Sequence, residues 1–204
     1  MKAKGYYWVW SLDILISTIY EGKAVVQAVK FFSPEKIYFI VDNPINNTRK
    51  LAIEMIKDLF PDIDIINKTV KTYDIVDIAN KTIEIIKEEK NNNIKIHISE
   101  ARKTMGLGLL FGAYVLKDYV DSAYYIIEET NEPLTLPLIE LNVSKKKKEI
   151  LNLISSGINS SQKLSEELKI KTSTLYVHLK ELRDNGLITK DTTLTNMGKI
   201  VMLI

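Results

Sequence analysis

The residues best suited to chemistry form one short polar run. They are Ser99, Glu100, Ala101, Arg102, Lys103 and Thr104. The run follows residues 94–98, whose alternation is typical of a strand, and precedes residues 105–115, a small apolar segment that predicts a buried helix. A helix start presents unpaired backbone N–H groups and the positive end of the helix dipole. The cations Arg102 and Lys103 at this point therefore predict a phosphate-type binding site.

A simpler interpretation of the same run is structural. Ser99 would be the N-cap of the helix, and Arg102 and Lys103 would be solvated in its first turn. Positive charge at that end opposes the helix dipole, however, whereas Asp or Glu would stabilise it. The structural interpretation does not explain two adjacent cations at a helix start, so we favour the phosphate site.

A second polar run ends the first predicted strand, residues 13–20. Its candidate ligand-binding residues are Ser17, Thr18, Tyr20 and Glu21. Strand and helix patterns alternate from residue 13 to residue 115, which predicts an open, mostly parallel sheet covered by helices. In the common strand order, the first and fourth strands are neighbours, and ligands bind beyond their carboxyl ends. Topology therefore predicts that the two polar runs lie together.

Two further strand patterns, residues 122–128 and 134–141, are joined by a turn short enough for a hairpin. The predicted fold class is thus α/β, with a Rossmann-like, mostly parallel sheet that ends in an antiparallel hairpin. The glycines at 106, 108 and 112 do not fit the dinucleotide fingerprint and lie inside the predicted helix. We expect them to allow close approach of this helix to the sheet or to another helix.

Composition limits the kinds of function. The chain has 204 residues, 46% of them hydrophobic, no cysteine and two histidines far apart in sequence. These values suit one large or two small domains and exclude disulfides and thiolate metal sites. The apolar residues 5–20 include Asp13 and are too few to span a membrane, and they lack a small-residue cleavage site. We expect a soluble, cytoplasmic protein with no metal site.

Charge divides the chain into two modules. From Lys145 onward there are 11 Lys and Arg against 6 Asp and Glu, whereas the preceding residues hold 17 against 20. This balance suggests that the second module faces a polyanion. The predicted domains are residues 1–142 and residues 145–204.

The second module has the pattern of a small winged helix-turn-helix. A short helix capped at Ser160 or Ser161 is followed by a longer one with Ser and Thr at its start, then by Asn185-Gly186 and a ribbon. Small helical triads also serve as protein docking modules, but the basic balance favours DNA. The candidate DNA-binding residues are Thr172, Ser173, Thr174, Tyr176, Lys180 and Lys190.

Residues 98–105, Ser17 and Thr18, and the order of the two modules together resemble the CARF (CRISPR-associated Rossmann fold) family of regulators with a C-terminal winged helix. The resemblance covers nearly all of the chain from about Asp13, so residues 1–12 precede the family's usual start. It implies a homodimer whose paired loops bind a cyclic oligoadenylate as a regulatory ligand, with the winged helices on double-stranded DNA. Many motifs of the family have Gly near the position of Ala101.

The favoured interpretation is therefore a transcription regulator rather than an enzyme. One alternative is a ring nuclease that cleaves cyclic oligoadenylate, as some proteins of the family do. Another is a structural DNA-binding dimer with an empty pocket.

Overall fold

The computed structural model describes residues 11–139 and 143–203, and the chain divides into two compact units, residues 1–140 and residues 141–204. Most of the N-terminal segment 1–12 lies outside the described residues. Among those that are described, no helix has the length and apolar character needed to cross a membrane.

The first unit is a six-stranded sheet in the order β3-β2-β1-β4-β5-β6. Its strands are β1 (Asp13–Thr18), β2 (Lys36–Asp42), β3 (Asp64–Val70), β4 (Asn93–His97), β5 (Ser122–Ile126) and β6 (Pro133–Leu136). The first five are parallel, and β6 is antiparallel to β5. The predicted adjacency of the first and fourth strands and the predicted hairpin are confirmed.

Helices cover both faces of the sheet. They are α1 (Lys23–Phe32), α2 (Asn47–Leu59), α3 (Ile75–Glu88) and α4 (Lys103–Val115), and a short 3-10 helix covers Lys117–Tyr119. Ile16 and Ile96 pack with α3 and α4 on one face, while Leu15 and Phe39 pack with α1 and α2 on the other. The central strands are apolar on both sides because both sides are covered.

Several boundaries differ from the prediction, and two of the differences change an interpretation. The last strand ends at Leu136 rather than at residue 141, because Pro137 has no N–H to continue the ladder. Residues 140 and 141, the end of that predicted strand, lie outside the described residues. The fourth helix begins at Lys103, with Arg102 as its N-cap, and not at Met105. Ser99 is therefore not the N-cap that the structural interpretation required.

Glycines bring α4 unusually close to α3. A Cβ added to Gly108 would lie 2.6 Å from Cβ of Ile78, and one added to Gly112 would lie 2.7 Å from the Ala79 carbonyl oxygen. Side chains at these two positions would therefore force the helices apart. Of the two expected roles of the glycines, close approach to another helix is the one found at these positions.

The second unit consists of α5 (Lys145–Ser155), α6 (Ser161–Leu168), α7 (Thr172–Asp184) and α8 (Asn196–Val201). Leu175, Leu179 and Leu182 form the buried stripe of α7, as their spacing predicts. After α7, a single antiparallel bridge between Ile188 and Leu194 forms the wing. The three-residue turn between α6 and α7 gives the predicted helix-turn-helix.

Candidate functional site

A cavity of about 520 Å³ lies at the carboxyl ends of β1 and β4. It is lined by Tyr20, Glu21, Lys23, Ala24, Ser99, Glu100, Ala101, Ile126, Glu128 and Asn131. We call it the sheet-edge cavity. It contains five of the ten predicted ligand-binding residues: Tyr20, Glu21, Ser99, Glu100 and Ala101.

Ser17 and Thr18 do not line this cavity, because both are fully buried at the end of β1. Ser17 Oγ lies 2.8 Å from Nδ1 of His97 on the neighbouring strand β4. The Thr18 hydroxyl donates a hydrogen bond to the carbonyl oxygen of Glu100. The two hydroxyls thus join the strands and the loops beyond them.

Glu100 is bound by the main chain of the opposite loop. Its carboxylate accepts hydrogen bonds from the backbone N–H groups of Tyr20 at 2.9 Å, Gly22 at 2.6 Å and Ala24 at 2.6 Å. Gly22 is the N-cap of α1 and has no side chain to satisfy these donors. Glu100 therefore caps α1 from a different loop.

The residues on either side of Glu100 complete this turn. Ser99 Oγ accepts a hydrogen bond of 2.5 Å from the backbone N–H of Ile126, which links the turn to the end of β5. Ala101 has φ +83°, a left-handed conformation that favours glycine. Ala101, near which the resemblance implies a Gly, therefore adopts a backbone conformation that alanine rarely takes.

Arg102, Lys103 and Thr104 lie beside the cavity rather than in its lining. Arg102 and Lys103 are exposed, and within the described ranges neither forms an ion pair. The Arg102 guanidinium lies 5.4 Å from the ring centroid of Tyr73, an aromatic residue that is 71% exposed. Thr104 Oγ1 donates to the carbonyl oxygen of Thr72 at 2.8 Å. The turn before α4 is therefore attached to the loop before α3 and presents two cations to solvent.

A buried ion pair supports the same edge of the sheet. The Arg49 side chain on α2 is fully buried and pairs with the Asp42 carboxylate at the end of β2. Its Nε donates to the carbonyl oxygen of Ile19 at 2.8 Å, and its guanidinium lies 5.4 Å from the ring centroid of Tyr20. A charge taken out of water must be paired, and Asp42 supplies the opposite charge for Arg49. Among the described residues, Nη1 of Arg49 and Oδ1 of Asp42 are buried without a hydrogen-bond partner.

His97 is a buried, neutral group below the two loops. Burial lowers the pKa of its imidazole to about 3. Nε2 is buried without a hydrogen-bond partner among the described residues. Because the side chain is fully buried, His97 contributes to the framework and does not reach the cavity. No group of three or more His, Asp or Glu residues suited to a metal ion occurs within residues 11–139 and 143–203.

In the second unit, the predicted DNA-binding residues share one property: all of them are exposed. Thr172, Ser173, Thr174, Tyr176 and Lys180 lie on the outer side of α7, and Lys190 lies in the turn between the two bridge residues of the wing. Val177, which the sequence analysis did not include, is 55% exposed next to Tyr176. The sequence signal for Val177 is an apolar residue at an outward position of α7, the second helix of the helix-turn-helix.

Sequence reasoning also missed part of the cavity lining. Lys23 and Ala24 come from the first turn of α1, while Ile126, Glu128 and Asn131 come from the β5–β6 hairpin. The hairpin reaches the cavity because β5 lies next to β4. The predicted strand order contained this information, although no motif indicated it.

Two families match the sequence. Residues 15–131, more than half of the chain, match the family described as "HFX_2341_N:-like, N-terminal". Residues 144–190 match the family described as bacterial regulatory protein, arsR family. No curated protein sequence matches the chain significantly.

Several solved structures are similar to the chain. Protein VC1899 from Vibrio cholerae has a TM-score of 0.50 at 12% identity, over 86% of this chain and 52% of that one. A type III CRISPR defence DNA nuclease activated by cyclic oligoadenylate has a TM-score of 0.51 at 13% identity, over 90% and 32%. Can2 from Sulfobacillus thermosulfidooxidans, in complex with cyclic tetra-adenylate, has a TM-score of 0.48 at 13% identity, over 94% and 63%.

The chain spans less than two thirds of the length of each of these three structures. At such low identity the likeness concerns the fold alone. At that level the fold predicted from the sequence is confirmed: a Rossmann-like α/β domain is followed by a helix-turn-helix. The chain belongs to the HFX_2341_N-like, N-terminal family, and its residues 144–190 match the arsR family of bacterial regulatory proteins.

Proposed function

We propose that the protein is a ligand-responsive, DNA-binding transcription regulator of the CRISPR-associated type, which senses a cyclic oligoadenylate at the sheet edge of a homodimer. One observation carries the proposal. The exposed cations Arg102 and Lys103 stand at the start of α4, beside a cavity of about 520 Å³, in a chain whose other unit is a helix-turn-helix. A sensing site and a DNA-binding unit in one chain are the parts that a regulator needs.

The chemistry of the turn before α4 suits a phosphate. Arg102 is the N-cap of α4 and its side chain does not bond to the first amides. The amide of Met105 donates to the Arg102 carbonyl oxygen, whereas those of Lys103 and Thr104 have no partner among the described residues and are available to an anion. The guanidinium and ammonium groups supply charge-assisted hydrogen bonds. Tyr73 offers an exposed ring next to Arg102, and bases stack on such rings. A nucleotide ligand contains both a phosphate and a base. The nuclease of similar fold is described as activated by cyclic oligoadenylate.

The outer side of α4 supports a second copy of the chain as partner. Residues 105–115 contain no charged side chain, and Leu107 is 44% exposed with Leu110 and Phe111 half-buried. A helix that is apolar all round is normally buried on all sides. An isologous contact between two α4 helices would bury this side and bring together both copies of Arg102 and Lys103. A ligand with twofold symmetry fits such an arrangement.

For DNA, the exposed hydroxyls at the start of α7 suit base edges and phosphates, and Lys180 suits a phosphate. Val177 is placed to contact a thymine methyl group. The wing residue Lys190 adds a further cation for the backbone.

Incubation with labelled cyclic tetra-adenylate, followed by separation of bound, free and cleaved label, tests the sensing function. We expect binding of the intact ring. Cleavage would favour the ring nuclease, and absence of binding would contradict ligand sensing. Lys87→Ala removes an exposed lysine from the last turn of α3 and is the matched control for Lys103→Ala.

Selection of sequences from a random duplex library tests the DNA-binding function. We expect enrichment of a sequence with two related half-sites, because a dimer presents two recognition helices. A library that remains random after selection at low salt would contradict this part of the proposal.

A further inference from the structure

The Glu100 carboxylate at the sheet edge accepts three backbone hydrogen bonds from the opposite loop. We propose that Glu100 is a positioning residue whose carboxylate permanently occupies the anion-accepting start of α1, so that a ligand phosphate is directed to the turn before α4. The part of this inference that concerns the ligand rests on the proposed function, whereas the part that concerns the carboxylate does not.

The contacts are those of a bound anion. One carboxylate oxygen accepts from the N–H groups of Tyr20 and Gly22, and the other accepts from Ala24, all within 2.9 Å. Backbone N–H groups at a helix start form a ready site for an external phosphate. Here the chain supplies its own anion to the same donors.

The main chain around Glu100 holds the carboxylate in place. The buried Thr18 hydroxyl donates to the Glu100 carbonyl oxygen, so the residue is fixed at both its backbone and its side chain. Gly22, with φ +87°, turns its N–H toward the carboxylate, and Ala101, with φ +83°, turns the chain toward Arg102. The two loops beyond β1 and β4 are therefore joined into one rigid edge.

Two consequences follow for a phosphate-bearing ligand. The start of α1 is closed to it, because the donors are taken and a negative charge stands there. The exposed cations at residues 102 and 103 follow Glu100 directly in the chain, so their position depends on the carboxylate contacts. Glu100 thus sets where a phosphate binds without touching it.

Removal of the carboxylate tests this directly in the full-length chain. In Glu100→Ala, titration with sodium sulfate should shift the backbone ¹⁵N–¹H resonances of Gly22 and Ala24 to saturation, whereas in the unmodified protein they should not move. Glu54→Ala removes an exposed acid of α2 that does not line the cavity and should behave like the unmodified protein. Equal shifts in the unmodified protein, or none in Glu100→Ala, would overturn the proposal.

The second readout uses chemical rescue. Glu100→Ala should bind cyclic tetra-adenylate at least about tenfold more weakly, because cations displaced from their positions lose charge-assisted hydrogen bonds. Sodium formate should restore much of this loss by refilling the vacated donors. Unchanged affinity in Glu100→Ala would overturn the positioning role. If even the unmodified protein does not bind the ring, the proposed function fails while the sulfate titration still decides the role of Glu100.

A second variant covers the case in which Glu100→Ala does not fold. Glu100→Ser keeps a polar side chain in the turn but removes the carboxylate from the donors at the start of α1. Formate and sulfate should raise its melting temperature more than that of the unmodified protein. An equal effect of both salts on the two proteins would count against an anion site at α1.

Discussion

The sheet edge and the helix α7 were both predicted from runs of polar residues, and the structure uses the two runs differently. At the sheet edge, Ser17 and Thr18 are fully buried and hydrogen-bonded to neighbouring elements. On α7, the hydroxyls of Thr172 and Ser173 are exposed. Polar residues of the same type thus build the framework in one region and are available to a partner in the other.

The difference has a physical cause. A loop that follows a buried strand contains backbone groups that lose water on folding, and nearby hydroxyls and carboxylates must satisfy them. An amphipathic helix pairs most of its backbone groups internally, so its outward side chains are not needed to hydrogen-bond them. Polar residues that follow central strands should therefore be interpreted as structural unless the structure shows them exposed and without hydrogen-bond partners.

The largest expected effect concerns the buried ion pair of the sheet edge. Arg49→Met should lower the free energy of unfolding by about 3–5 kcal/mol, because it leaves the Asp42 carboxylate without its partner. Denaturant unfolding measures this change. Lys50→Met, at an exposed position of the same helix, should change stability by less than about 0.5 kcal/mol. A small effect of Arg49→Met would mean that the buried ion pair contributes little to the stability of the sheet edge.

The next largest effect distinguishes the buried framework residues of the sheet edge from its two exposed cations, Arg102 and Lys103. Arg102→Ala and Lys103→Ala should each weaken cyclic tetra-adenylate binding by about 1.5–3 kcal/mol, since hydrogen bonds to charged groups are worth this much. Folding should be almost unchanged, because both side chains are exposed. Titration calorimetry of both variants beside Lys87→Ala decides the matter, and unaltered affinity in both would place the site elsewhere.

The third effect is a pH dependence of stability that originates at the sheet edge. The His97 pKa is about 3 in the folded protein, against about 6.5 for an ordinary histidine, so below pH 6.5 the unfolded chain binds a proton that the folded chain does not. Stability should therefore be fully present above about pH 6.5 and fall by roughly 1.4 kcal/mol per pH unit below it.

Unfolding free energies measured between pH 7 and pH 5 test this expectation before most carboxylates titrate. The control is His97→Gln, whose stability should depend much less on pH over the same interval. An identical slope in the two proteins would assign the effect to another group.

The smallest effect on folding is expected on α7. Lys180→Ala should change the free energy of unfolding by less than about 0.5 kcal/mol, but it should flatten the salt dependence of DNA affinity by about 0.9 of a unit. Lys199→Ala removes the same charge from α8 and should leave this slope unchanged. Thr172→Ala should instead alter sequence preference, as measured by competition between duplexes. A loss of stability in Lys180→Ala would mean that this residue of α7 also supports the fold, contrary to the difference drawn between the two regions.

The fold was largely accessible from the sequence, because apolar runs such as residues 36–42 coincide with β2 and leucines at helical spacing mark α7. The site was only partly accessible. Periodicity places Glu100 in a loop, but it does not reveal that its carboxylate meets the amides of a loop 78 residues earlier. It also gives no sign of the buried pair of Arg49 and Asp42.

The close contact of α3 and α4 has a consequence for motion. With Gly108 and Gly112 against Ile78 and Ala79, neither helix has space to slide or open alone. Their amides should therefore exchange hydrogen with a common opening free energy, as one cooperative unit. Any event that orders the start of α4 would then slow exchange along the whole of α3.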